Sequence, residues 1–258
     1  MITTRHDSHA ALVCQALEAG KHVFVEKPLA LTLAELEHIV QTYEGTRAQH
    51  VQPLLMVGFN RRFAPHVQKM KALLEQVEAP KSFIMTVNAG DIPAQHWTQD
   101  VHVGGGRILG EGCHFIDLLR FLAGCPITDV QSTMMGDTPA VAVREDKTSF
   151  TLSFADGSFG TVHYLANGHR SFPKERLEVF CAGRVLQLEN FRSLRGYGWP
   201  GFRCMRLWRQ DKGHKAEIQA FIEAIQHGRP SPIAFAELVE VTRVSLQVVA
   251  ALRHTSCS

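Results

Sequence analysis

No two of the six cysteines, Cys14, Cys113, Cys125, Cys181, Cys204 and Cys257, form a CxxC pair. A chain of 258 residues is also large enough to bury a full core without covalent staples. That usage predicts a reducing, cytoplasmic setting. A charged leader with an apolar core is absent, as is any uninterrupted apolar run long enough to span a bilayer, so a soluble protein with no membrane partner is expected. Charge of one sign is not in excess. With 27 basic and 25 acidic residues the net charge is +2, which creates no field to gather nucleic acid. Local basic clusters do occur, at Arg61-Arg62 and from Arg192 to Arg209, where Tyr197, Trp199 and Phe202 are interleaved. They match no nucleic-acid module and read as a solvated or interdomain loop. HExxH is missing too, so no metal is expected, and His96, His102, Glu111 and His114 are the residues a rival metal-dependent hydrolase would have to use.

The last absence concerns the glycine turn that cradles a pyrophosphate. A literal GxGxxG stands at Gly196 to Gly201, but it follows an Arg/Ser loop and Pro200 sits where a helix should open, so it is not such a turn. Without the turn, the opening residues read as one half of a doubly wound parallel sheet. Ile2-Thr3-Thr4 ends a strand. Asp7 or Ser8 caps a helix, Val23 to Val25 is the next strand, Thr32 with Glu35 makes a capping box before a second helix, and Leu54 to Val57 is a third strand. The missing half predicts a chain that starts late within a longer, fused parent, or a remnant, and an unpaired strand edge that favours association.

Beyond the boundary near Gly58 to Phe63, a helix runs to about Val77 and a strand from Ser82 to Ala89. Alternating runs at Asp129 to Met135, Ser149 to Phe154, Phe159 to Leu165 and Leu177 to Cys181 predict antiparallel strands, with a hairpin turn at Asp156-Gly157. Two helices close the chain, His214 to His227 and Phe235 to Leu252. The expected organisation is a partial Rossmann-like α/β domain over residues 1–60. An α+β domain with a large, mostly antiparallel open sheet follows over 61–258, one face of it a plausible dimer surface.

Two stretches carry chemistry. In Gly104 to Asp117 (GGGRILGEGCHFID) a glycine turn abuts a helix whose apolar face is Phe115, Leu118, Leu119 and Leu122, leaving His114 and Asp117 three apart on a common side. In Ala19 to Leu29 (AGKHVFVEKPL) a strand ends on Glu26-Lys27-Pro28, and strand ends are where open α/β sheets place ligands. Bland alternatives are a capped helix with a satisfied histidine and a surface Glu-Lys pair before a turn.

With GFNRRF (Gly58 to Phe63) and HKAEIQAFIEAIQHG (His214 to Gly228), these blocks resemble the Gfo/Idh/MocA oxidoreductases over nearly the whole chain. The GEGCHFIDLLRFLAG wording looks like the second module of fused proteins that begin with an alcohol dehydrogenase-like unit. The resemblance implies hydride transfer between NAD or NADP and a sugar, cyclitol or nucleotide-sugar, within a homo-oligomer or a longer fused chain. It implies Lys27, His114 and Asp117 as catalytic residues, with Thr3, Thr4, His9, Glu26, Lys27 and Pro28 around the cofactor. Arg61, His96, Trp97 and Asp117 would line the substrate pocket. The chain departs from the pattern at Gly110, where many relatives carry an aspartate or asparagine; Glu111, one residue on, is a candidate replacement. A non-catalytic sugar-binding or structural subunit is the other reading.

Overall fold

The computed structural model describes residues 1–48, 53–139 and 141–254; Cys257 lies outside them. Near the N-terminus, helix α1 (His9–Glu18) leads to strand β1 (Val23–Val25), helix α2 (Leu33–Ala48) and strand β2 (Leu55–Val57). β1 and β2 pair in parallel, and both are wholly buried, as a strand covered on both faces must be. The strand expected at Ile2 is reduced to a single parallel bridge to Val25. The capping box is present: the Glu35 amide donates to Thr32 Oγ1 at 3.2 Å and Thr32 N donates to Glu35 Oε2 at 3.0 Å.

Helix α3 (Pro65–Leu74) connects to the large sheet, whose strands are β3 (Ser82–Asn88), β4 (Ile127–Met134), β5 (Lys147–Phe154), β6 (Phe159–Leu165), β7 (Glu175–Cys181), β8 (Arg184–Glu189), β9 (Ser193–Tyr197) and β10 (Cys204–Arg206). They lie in the order β10-β9-β8-β7-β3-β6-β5-β4, every pair antiparallel except β3 with β6. The basic stretch from Arg192 to Arg209, expected as a loop, therefore contributes the two short strands β9 and β10 at one end of the sheet. Leu194 points inward and Arg195 outward, the alternation of a sheet with one covered face.

Helix α4 (Cys113–Ala123) is the centre of the molecule. Its apolar stripe is the predicted one, but all its residues except Phe121 are buried. Neighbours α3 and α6 (Phe235–His254) pack against it, so it has no solvated side. Helices α5 (His214–Gln226) and α6 also fold back onto the first sixty residues: Phe221 meets Phe24 at 5.8 Å and Phe235 stacks on Tyr43 at 3.8 Å. Among the described residues no helix is long and apolar enough to cross a membrane.

Candidate active site

The carboxyl end of β1 and the amino end of α4 meet at a cavity of about 330 Å³ lined by residues that include His6, Lys27, Trp97, Gly110, Glu111 and His114. Lys27 reaches it because β1 stops at Val25, two residues before, and its ammonium donates to the Gly110 carbonyl at 2.6 Å. Gly110 belongs to a widened π-helical turn, Ile108–Gly112, that leads into α4. Such turns displace a helix from its regular ladder, and they recur at functional sites. The loop over the cavity lies close enough that only glycine is tolerated below it: a Cβ on Gly104 would stand 2.4 Å from Thr98 Cα.

His114 is 6% exposed, with Nδ1 enclosed and without a hydrogen-bond partner among the described residues. Its Nε2 is left as the nitrogen that reaches the cavity. Burial depresses the imidazole pKa well below its ordinary value, and the charges of Arg61, Lys27 and Lys212 push it the same way. The ring is held neutral, so one of its two nitrogens carries a free lone pair.

Glu111 does not take the part of an acid missing at Gly110. Its carboxylate accepts from Lys174 Nζ at 2.7 Å, from Tyr164 Oη at 2.5 Å and from Arg107 Nη2 at 3.0 Å. Burial alone would raise its pKa, but these partners outweigh that and hold it at about 2. The group stays charged and fixes Arg107 and Lys174 along one wall. Arg61 lines the cavity as well, although its guanidinium is engaged by Glu175 through Nε and Nη2, both at 2.9 Å, and Lys212 bonds the same carboxylate at 2.6 Å.

Asp117 is elsewhere. It is fully buried and held by Arg62 at 2.5 Å and 3.1 Å, and Arg62 also bonds Glu237 at 2.9 Å. A carboxylate so enclosed neither orients His114 nor meets a ligand, which corrects the expectation drawn from their spacing; the burial of α4 on every side is the reason. His96 is likewise outside the cavity lining, exposed, with Nδ1 turned to Thr98 Oγ1 at 2.9 Å. Trp97 does line the cavity, but its ring meets His6 edge-on at 4.9 Å and lies under the Arg5 guanidinium at 5.6 Å.

Among the residues expected around a cofactor, Thr3 and Thr4 are exposed and Glu26 is half-buried, its carboxylate packed beneath Gly58. His9 is buried and ties the Pro28 carbonyl (2.8 Å) to that of Thr4 (3.1 Å), so it shapes the strand tips without reaching the cavity. Exposed hydroxyls two and three residues before the cavity-lining His6, in a chain whose cleft also holds an enclosed, unpartnered imidazole nitrogen, suit the nicotinamide-ribose end of a dinucleotide. The strand-borne GxGxxG turn that would cradle its pyrophosphate does not occur in this sequence. His6, Arg107 and Lys174 were not foreseen. Arg107 and Glu111 are four apart on one helical turn, a signal the sequence held; Lys174, a loop residue before β7, offered none. Among the described residues no group of three or more His, Cys, Asp or Glu stands where it could hold a metal ion.

Two sequence profiles match the chain: an oxidoreductase family with an NAD-binding Rossmann fold over residues 1–59 and the GFO/IDH/MocA C-terminal domain over residues 67–186. A myo-inositol 2-dehydrogenase of Thermotoga maritima is 25% identical over 244 residues, covering 91% of this chain and 71% of the relative. An inositol 2-dehydrogenase 2 of Paenarthrobacter aurescens is 28% identical over 245 residues, covering 92% of this chain and 72% of the relative. Among solved structures, a levoglucosan dehydrogenase in complex with NADH and levoglucosan superimposes with a TM-score of 0.82 at 23% identity, covering 98% of this chain and 77% of that one.

Proposed function

The chain belongs to the Gfo/Idh/MocA oxidoreductase family, and from that premise we propose that it is an NAD(P)-dependent dehydrogenase acting on a CH-OH group of a sugar or cyclitol. The observation that carries the reading is the cleft shared by Lys27 and His114, one a cation and the other a neutral imidazole with an open acceptor.

A bound nicotinamide supplies the hydride acceptor, with Thr3, Thr4 and Glu26 suited to its ribose hydroxyls. The chain itself handles the proton. His114 takes the proton of the reacting hydroxyl at Nε2, and general-base help of that kind contributes about 10²–10⁴ in rate. Lys27 can turn its ammonium from the Gly110 carbonyl to the same oxygen, where a fixed positive charge stabilises the negative charge that develops. Arg107 and Lys174, held by Glu111, keep the surrounding wall positive. Trp97 adds an apolar surface to the cavity lining.

The division of the chain near residue 60 is supported by the break between the two matched segments. Ile84 and Phe180 are exposed on the uncovered face of the large sheet, at 40% and 43%, which supports a homo-oligomer packed on that face. Scattered cysteines support a cytoplasmic setting. A second reading, polyol binding without turnover, is favoured by one observation, the lack of a pyrophosphate-cradling glycine turn in these 258 residues.

The test is the reduction of NAD⁺ and NADP⁺ by the protein with myo-inositol, scyllo-inositol, levoglucosan and UDP-N-acetylglucosamine. It should be run beside calorimetric titration of NADH and NADPH. Turnover of at least one of these that is lost in His114→Asn supports the dehydrogenase. Polyol binding with no cofactor binding and no turnover favours the second reading.

A further inference from the structure

His6 belongs to the cleft, although no part of the mechanism above uses it. We propose that His6 is a further substrate-binding residue, its Nε2 accepting a hydrogen bond from a polyol hydroxyl next to the one that His114 and Lys27 act on. The inference rests on the polyol reading above and adds a specificity-determining contact to it.

Three features of the geometry point this way. The first fixes the tautomer. His6 is 7% exposed, and its Nδ1 lies 2.8 Å from the Gly104 carbonyl. A carbonyl only accepts, so Nδ1 carries the proton and Nε2 is left as a bare acceptor. Nε2 has no protein partner among the described residues, and it is not among the enclosed unpaired atoms, so it opens on the cavity that His6 lines.

The second feature is the space around the ring. A Cβ at position 110 would stand 3.2 Å from His6 Cε1, tighter than a side chain tolerates without displacing the ring. Gly110 and His6 are therefore complementary: the position that leads into α4 has no side chain, and an imidazole delivered from the short helical turn His6–Ser8 fills the volume in front of it. Trp97 closes the other side edge-on at 4.9 Å, and His9 lies 5.7 Å away, so the ring has little freedom to rotate out.

The third feature is electrostatic. Burial lowers the His6 pKa to about 4, and the positive charge of Lys27 acts in the same direction. The backbone bond to Gly104 and the charge of Asp7 oppose the shift and do not cancel it. The ring is thus neutral at physiological pH and offers an acceptor beside the cations that line the same cavity, Lys27, Arg61, Arg107 and Lys174. A polyol hydroxyl that gives its hydrogen to His6 can accept from one of those cations, which selects a ligand with two or more adjacent hydroxyls over a simple alcohol.

Two substitutions separate the role from the structure. His6→Asn places an amide nitrogen where Nδ1 stood and keeps the bond to Gly104, while removing the acceptor at Nε2. His6→Gln places an amide oxygen near the former Nε2. With the panel substrate that the protein turns over best, His6→Asn is expected to lose at least tenfold in kcat/KM, mostly through KM, at an unchanged melting temperature, and His6→Gln to regain most of that loss. Wild-type kcat/KM in His6→Asn, in a protein that His114→Asn inactivates, overturns the proposal and leaves the dehydrogenase standing.

A nitrogen-15 histidine spectrum of the wild-type protein near neutral pH gives a readout free of turnover. The neutral Nδ1–H form of His6, with an Nε2 signal that moves on titration with myo-inositol or levoglucosan, is the expected result. An Nε2–H tautomer, an imidazolium, or an Nε2 signal unmoved by both polyols refutes the assignment whatever the activity shows.

Discussion

His114 and Asp117 lie three residues apart on one helix, yet they sit in opposite kinds of environment. Asp117 has its hydrogen-bonding capacity met by Arg62, which is met in turn by Glu237, all of it walled off from the cavity. His114 has an enclosed nitrogen with no partner and another that faces a cavity. The first arrangement holds α4 to the short helical turn Asn60–Phe63 and to α6; the second costs stability and leaves a group free to react. Burial does not distinguish them, since both are nearly inaccessible. What differs is whether the folded chain already satisfies the group, and unmet capacity that opens on a cleft is where chemistry is placed.

The largest expected effect breaks the comparison on the cleft side. His114→Asn should lower kcat by about 10²–10⁴, with a melting temperature within about 3 °C of wild type. A steady-state assay beside a thermal scan checks both. On the scaffold side the pattern reverses: Asp117→Asn leaves Arg62 buried with one charged partner fewer. A loss of about 3 kcal/mol, or roughly 6–12 °C in Tm, is expected for a chain of this size. Denaturant unfolding with m held constant measures it.

Glu217 sharpens the comparison, because it is buried with an unpaired Oε2 yet does not line the cleft. Burial, reinforced by the charges of Glu26 and Asp117, raises its pKa to about 8. The folded chain holds this proton more tightly than the unfolded chain. Its stabilising effect is therefore complete at low pH and is lost as pH rises through about 8. Glu217→Gln should consequently raise stability at pH 9 by on the order of 2 kcal/mol and change little at pH 5. The smallest effect is on the acid limb. His6 and His114 both have depressed pKa values, so the unfolded chain binds these protons first. Stability from them is intact above the ordinary histidine range and falls as pH drops toward about 4 for His6. His6→Asn should flatten that limb by up to about 1.4 kcal/mol per pH unit.

Local devices were legible in the sequence. Thr32 and Glu35 form the capping box their spacing announces, and Gly124 ends α4 in the left-handed conformation at φ 81°. The Glu26-Lys27-Pro28 strand tip and the glycine-to-histidine stretch both deliver residues to one cavity. Asp117 was misread because its partner Arg62 is 55 residues away and no spacing rule reaches that far. β8 to β10 were missed because these strands at one end of the sheet are short, and their outward positions hold residues such as Arg195 and Arg206, which mask the alternation of Leu186, Leu188 and Leu194 beneath. His6 was passed over beside His9, since nothing in a sequence says which of two nearby histidines keeps a free nitrogen.

The most direct test of the central claim is a crystal structure of the protein with a polyol that it turns over. One hydroxyl oxygen within hydrogen-bond reach of both Lys27 Nζ and His114 Nε2 is the predicted result. A ligand bound with neither group touching the same oxygen contradicts the account.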